Sequence, residues 1–194
     1  MSIGSLRLGV LQISDEGTHV RFSEPMKSLA RPGDENAVYE KEIESHFPSP
    51  IKGEFTAFKV GNKVHVRGDF ETEYMADCDR CGEETRERLA SPWEVFLMPS
   101  EQFSEADSGG GKFRHGKPGE DDHDDTDFGE YDGKTVDLRE FLREEIVLLS
   151  PMQVYCDPNC RGICLNCGKN LNKEKCVDGC PTVPIEVEAP QPGI

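Results

Sequence analysis

Eight cysteines hold most of the chemistry in this sequence: a Cys78-x2-Cys81 pair, then Cys156, Cys160, Cys164, Cys167, Cys176 and Cys180 in one C-terminal run. A tetrahedral Zn²⁺ needs two thiolates held by a tight turn and a second pair brought in from elsewhere, at Zn–S of about 2.3 Å. Eight thiols make two sets of four, and so one or two structural ions. Pairing consecutive couples places Cys78, Cys81, Cys156 and Cys160 in one set and Cys164, Cys167, Cys176 and Cys180 in the other. The other partition lets Cys160 or Cys164 change places. A disulfide framework would need an oxidising compartment. The opening residues Met1–Arg7 show no basic region followed by an apolar stretch and a small-residue cleavage site, so the expectation is a cytoplasmic, reduced protein whose thiols hold zinc.

Within the clusters every spacing is thiol-only, and His19, His46, His65, His115 and His123 lie outside them. Catalytic zinc keeps an open position for water, usually beside His or carboxylate ligands. The pattern therefore predicts structural ions, no catalytic residue and no small-molecule substrate. A redox role for Cys78 and Cys81 would need the pair to open a helix, where the thiol pKa falls, whereas the flanking pattern reads strand, turn, strand. A zinc or thiol-redox sensor is the alternative class of function. A nuclease would need His and carboxylates clustered in an ordered pocket, and the acidic residues here concentrate in a loop-like stretch.

The formal net charge is -16. Nucleic-acid affinity is built from Lys and Arg neutralising phosphates, so a chain this acidic repels a phosphate backbone at long range and suits a basic protein partner better. Local contact with RNA would fall to Arg80 in the first cysteine pair and to Arg161, Lys169, Lys173 and Lys175 around the later ones. The plainer role for these cations is to offset the charge of the thiolate centres. No apolar run approaches the ~20 residues of a membrane span.

The elements that must position the cysteines point to an α+β fold: an antiparallel β meander, one amphipathic C-terminal helix and cysteine-rich zinc-knuckle modules. Val64, Val66, Gly68, Phe70, Thr72 and Tyr74 alternate with His65, Arg67, Asp69, Glu71 and Glu73, the period of a strand with one wet face. Glu54 to Val60 precedes it across the turn pair Gly61-Asn62. A third strand from Thr85 to Met98 follows the Cys78–Cys81 turn, with Pro92 marking an edge or bulge. Leu6–Ile13 and Val20–Phe22, separated by Ser14–Gly17, read as a hairpin, and a short strand or helix is expected near Val38–Ile43. Residues 101–132 are dominated by Asp and Glu around Gly109–Gly111 and read as disordered. At Asp137 a capped helix begins, with Leu138, Phe141, Leu142, Ile146 and Leu149 on one face over about four turns and Pro151 beyond its end. The organisation expected is a β-rich part over 1–99, an acidic insert over 100–134, the helix and its connection over 135–155, a cysteine module over 156–180 and a Pro-rich tail over 181–194.

An alternating strand leading to Cys78-Asp79-Arg80-Cys81, an acidic insert, a Val136-Asp137-Leu138 helix start, and above all Cys160-Arg161-Gly162-Ile163-Cys164-Leu165-Asn166-Cys167-Gly168-Lys169-Asn170-Leu171-Asn172 resemble the bacterial YceD family. It is also called the large ribosomal RNA subunit accumulation protein family. The resemblance spans roughly residues 5 to 180. It implies a non-enzymatic role in ribosome biogenesis, supporting accumulation of large-subunit (23S) ribosomal RNA, with ribosomal RNA or a basic large-subunit ribosomal protein as partner.

Overall fold

The computed structural model describes residues 6–30, 38–101, 127–177 and 180. They fall into two compact units: Met1–Glu73 with Arg88–Leu149, and Tyr74–Glu87 with Ser150–Ile194. The second unit thus takes the tip of one hairpin together with the C-terminal segment.

The first unit is built on a sheet of five strands in the order β2-β3-β4-β5-β6, with β2 at Thr18–Glu24, β3 at Ile51–Val60, β4 at Lys63–Asp77, β5 at Glu84–Pro99 and β6 at Asp127–Tyr131. The period of two in β4 sets its faces as predicted: Val64, Val66, Phe70 and Thr72 are buried, while Arg67, Asp69 and Glu71 are exposed. The β3–β4 turn closes at Gly61 with φ 64°, and Val60 pairs with Lys63. Pro92 lies on β5 ahead of Val95–Pro99, the stretch that pairs with β6, so on that side its missing N–H removes no ladder bond.

Two expectations about the first unit need correction. Leu6–Ile13 does not form a hairpin with Val20–Phe22. Instead β1 (Arg7–Gly9) pairs antiparallel with β7 (Thr135–Asp137), with Leu8 opposite Val136. After Gly9 the chain winds into a 3-10 turn at Val10–Gln12, where the Gln12 side chain accepts the Gly9 N–H at 3.1 Å. A continuous strand would point Ile13 away from Leu6, Leu8 and Val10, whereas the turn lets all four be buried. The strand β2 pairs with β3 instead, and its Phe22 ring lies 6.1 Å from that of Phe55.

The second correction concerns the acidic stretch, whose end is ordered. β6 adds parallel to β5, which makes the sheet mixed rather than a pure meander. Gly129 lets this strand pack closely: a Cβ there would sit 2.2 Å from the Phe141 ring. Two residues on, the buried Tyr131 donates its hydroxyl to the Asn62 carbonyl at 2.6 Å. The rest of the expected insert, residues 102–126, lies outside the described residues, as does the Pro-rich tail over 181–194.

The first unit also carries helices α1 at Val38–Ser45 and α2 at Arg139–Leu149. Helix α2 is shorter than expected, at about three turns. It buries Phe141, Leu142 and Ile146, with Leu138 buried just ahead of it, while Leu149 is half-exposed. Asp137 caps it by accepting the Arg139 N–H at 3.2 Å and holds the Arg139 guanidinium at 2.9 and 2.6 Å. Arg143 reaches from α2 to the buried Glu40 of α1 at 2.6 Å, pairing a carboxylate that burial would otherwise strand.

Candidate metal centres

The second unit is organised around sulfur. Its buried side chains include Cys78, Cys81, Cys160, Cys164 and Val154, with Tyr155 packed on the first three. The hairpin tip Cys78-Asp79-Arg80-Cys81-Gly82 is a knuckle: Cys78 N–H bonds the Glu83 carbonyl at 2.8 Å, and Gly82 N–H bonds the Cys78 carbonyl at 2.8 Å. Cys164-Leu165-Asn166-Cys167-Gly168 repeats it bond for bond, Cys164 N–H to the Lys169 carbonyl at 2.8 Å and Gly168 N–H to the Cys164 carbonyl at 2.7 Å. The glycines sit at φ 70° and 71°, in the left-handed region where a side chain is strained. Each knuckle thus has the form Cys-x2-Cys-Gly, a repeat visible in the sequence that thiol spacing alone does not reveal. A Cys-x3-Cys pair joins each one.

The eight sulfurs gather in two sets, Cys78, Cys81, Cys156 and Cys160, and Cys164, Cys167, Cys176 and Cys180, with the ligand atoms of each set within 4.8 Å of one another. That is the grouping by consecutive pairs. All eight thiols are free. The Sγ atoms of Cys78 and Cys160 are 3.8 Å apart, those of Cys81 and Cys156 3.5 Å, and those of Cys164 and Cys180 3.5 Å. A disulfide needs about 2.05 Å. Four sulfurs placed tetrahedrally at about 2.3 Å from an ion are about 3.8 Å from each other, so the donor sets fit a thiophilic, four-coordinate divalent ion and leave it no open position.

Electrostatics within each set prepare one thiolate and hold back two of its neighbours. Burial pushes the Cys78 thiol up, but N–H groups of Cys156, Arg80 and Cys81 aimed at its sulfur outweigh this and bring it down to about 6. Cys164 falls to about 6 because the Cys167 and Asn166 N–H groups point at it. Burial raises Cys81, and burial together with contact with the neighbouring thiols pushes Cys156 up to about 12. Hydrogen bonding to the Cys164 sulfur does the same to Cys176, and pushes Cys180 up to about 12. Four adjacent sulfurs cannot all ionise without a cation among them.

The five cations singled out as candidate RNA contacts fare differently. Arg80 turns inward: Nη1 donates to the Pro158 and Cys160 carbonyls at 3.2 Å each, and its guanidinium lies 4.3 Å from the Tyr155 ring centroid. Lys173 pairs with Glu83 at 2.7 Å and Lys169 with Glu174 at 2.9 Å. Each pairing holds the lysine above and the carboxylate below its ordinary value. Arg161 and Lys175 are exposed, and among the described residues no ion pair involves either side chain. Sequence reasoning missed the residues that bind the module together: Asp79, which accepts the Val154 N–H at 2.7 Å, and Glu83, Asn170 and Asn172. No spacing signal marks them.

Two four-cysteine clusters that could each hold a metal ion, in a chain of α+β class, define the kind of protein this is. Comparison with known proteins then identifies the family: residues 66–190 match the model described as Large ribosomal RNA subunit accumulation protein YceD, and the chain belongs to that family. It is also similar to the Large ribosomal RNA subunit accumulation protein YCED homolog 1, chloroplastic, of Arabidopsis thaliana, at 30% identity over 66% of this chain and 43% of that protein. The Zea mays protein of the same name is 28% identical over 67% of this chain and 47% of its own length. The chain therefore spans less than half the length of these curated relatives. No solved structure matches. Among the described residues no helix is long and apolar enough to cross a membrane.

Proposed function

We propose that this chain is a non-enzymatic, cytoplasmic factor, stabilised by two structural Zn²⁺ ions, that supports accumulation of large-subunit (23S) ribosomal RNA. The observation that carries the reading is the closure of eight free thiols into two four-sulfur cages, in a chain whose family is named for that accumulation. All-thiolate, four-coordinate zinc contributes folding energy and has no site for substrate water.

A basic large-subunit ribosomal protein is the partner favoured by charge. The chain is at -16, each zinc on four thiolates adds a formal charge of about −2, and three of the five candidate RNA cations are engaged internally. Direct contact with ribosomal RNA would rest on Arg161 and Lys175. Salt titration of binding to a basic ribosomal protein and to a 23S fragment separates the two: tight low-salt binding is expected for the protein and not for the RNA.

The test of the whole reading is complementation. Cells lacking the chain should lose 23S relative to 16S ribosomal RNA and regain it with the wild-type chain but not with Cys78→Ser/Cys81→Ser. Full rescue by the serine variant, or a purified chain without zinc, sinks the reading. A second reading, a thiol-redox sensor, draws on the exposure of Cys156, whose sulfur is 3.5 Å from that of Cys81. Reversible zinc loss on mild peroxide treatment, coupled to a change in partner binding, would favour it.

A further inference from the structure

The eight residues between Cys167 and Cys176 belong by sequence to the second cage, yet the side chains of Asn170, Asn172 and Lys173 reach the first cage or its knuckle. Asn172 Nδ2 donates to Cys160 Sγ at 3.1 Å. The orientation of that amide is settled by its other end, because Oδ1 accepts the Arg161 backbone N–H at 2.8 Å and only a carbonyl oxygen can do so. Asn170 Oδ1 accepts the Asn172 N–H at 2.9 Å, while Asn170 Nδ2 and Lys173 Nζ both donate to Glu83 of the first knuckle, at 3.2 and 2.7 Å. The Leu171 N–H bonds the Gly162 carbonyl at 2.9 Å, and Ile163 N–H bonds the Arg80 carbonyl at 3.1 Å. Gly162 has φ 71°, and a Cβ there would stand 2.9 Å from the Arg80 carbonyl oxygen, so the segment shared by the two cages is pressed onto the first knuckle.

We propose that Asn172 is a positioning residue for the first metal centre, delivered by the loop that the second centre ties down, so that the two centres fill as a coupled pair. The proposal rests on the zinc reading above. An N–H donor to a metal-bound thiolate stabilises its charge and fixes its direction, and loss of such an outer contact typically weakens metal retention about 10–100-fold. An ion on Cys164, Cys167, Cys176 and Cys180 pins both ends of the loop. That lowers the entropic cost of presenting Asn172 to Cys160 and of presenting Asn170 and Lys173 to Glu83. By linkage, an ion at the first centre must strengthen the second by the same factor.

The experiment uses the reduced full-length chain loaded with Co²⁺ and with Zn²⁺, and follows metal transfer to a competing chromophoric chelator. Wild type should hold two ions per chain. Asn172→Asp keeps the size and the acceptor toward Arg161 but places an anion against the Cys160 sulfur. It should release one ion at least about tenfold more readily and shift the sulfur-to-cobalt charge-transfer band, and the other ion, no longer helped by a filled neighbour, should then leave more readily than it does from wild type. A merely structural turn would leave that band unmoved. Cys176→Ser/Cys180→Ser, which removes the second centre, should loosen the remaining ion by a comparable factor. Wild-type retention of both ions in Asn172→Asp overturns the proposal, and so does unchanged retention at the first centre in the serine pair. A wild-type chain that binds no metal fails earlier, with the zinc reading itself.

Discussion

The two units of this chain are held together by different materials. Inside the first lie Ile51, Phe55, Val64, Val66, Phe70, Leu97, Leu138, Leu142 and Ile146, all at or below 2% exposure, so hydrocarbon withdrawn from water supplies the order. Inside the second, the fully buried groups are mostly thiols, and the only buried large aliphatic side chain among its described residues is Val154. Segments this small bury too little apolar surface to offset chain entropy, and on the proposed reading coordination would take the place of a core. The lesson is that one chain can combine a unit ordered by exclusion of water with one whose interior is sulfur, and whose order the zinc reading makes conditional on an ion.

Metal removal is the strongest way to break that comparison. A structural zinc in a small module is worth about 10–16 kcal/mol of apparent free energy, comparable with the stability of a whole domain. Chelation should therefore strip exchange protection from the knuckle amides of Cys78, Gly82, Cys164 and Gly168 while amides of β3 and β4 such as Val66 keep theirs, as read by hydrogen–deuterium exchange. Trp93, the sole tryptophan, is buried in the first unit edge-on to Phe55 at 5.9 Å, so its fluorescence should be nearly unchanged. Loss of both signals together would show that the units are not independent.

The converse experiment attacks hydrocarbon. Leu142 is fully buried on α2, and Leu142→Ala should cost about 2–5 kcal/mol through lost transfer energy and the cavity left behind. The loss should appear in urea unfolding followed by Trp93, with zinc per chain unchanged. A smaller effect in the other unit is expected from Gly168→Ala. Nothing lies within 4 Å of a Cβ there, so the penalty is the positive φ alone, about 1–2 kcal/mol, read as weaker metal retention with normal Trp93 unfolding.

What sequence could reveal follows the same division. The faces of β4, the Gly61 turn and the apolar stripe of α2 were legible because each is set by period or by a local backbone demand. Each Cys-x2-Cys and Cys-x3-Cys couple was legible because its members are close along the chain, and Cys164–Cys180 is short enough to hold two couples, which leaves Cys156 and Cys160 for the distant Cys78 and Cys81. Three things were not. The pairing of β1 with β7 joins residues far apart, and it is decided by the need to bury Ile13 with Leu6, Leu8 and Val10. β6 hides at the end of an acidic stretch, where it pairs with β5 and lies against the Phe141 ring at Gly129. The inward turn of Arg80 and the pairing of Lys169 and Lys173 depend on carbonyls and carboxylates that only the folded module brings near. Local chemistry was readable, and the long-range choice of strand and ion-pair partners was not.

The smallest effect sharpens the comparison through pH. Burial pushes the Asp137 carboxyl up, but the Arg139 side chain and N–H, with Arg7 behind them, outweigh it and hold the group below its ordinary value. A depressed folded pKa means stability that is present above the unfolded value of about 3.9 and disappears as pH falls through the folded one. Asp137→Asn keeps the capping acceptor and removes only the charge. Because the side chain is 36% exposed, solvent screens the pair and the cost at pH 7 should be about 0.5 kcal/mol, fading below about pH 4. The second unit responds to the same acid by a different route. Each thiol must lose its proton to bind metal, so protons compete with the ion and metal retention falls with pH whether or not Asp137 is present. Urea unfolding read by Trp93 should therefore separate the Asn variant from wild type at neutral pH and merge them in acid. Cobalt charge-transfer absorption should titrate identically in both; a difference in that absorption would mean that the charge on Asp137 reaches the sulfur unit.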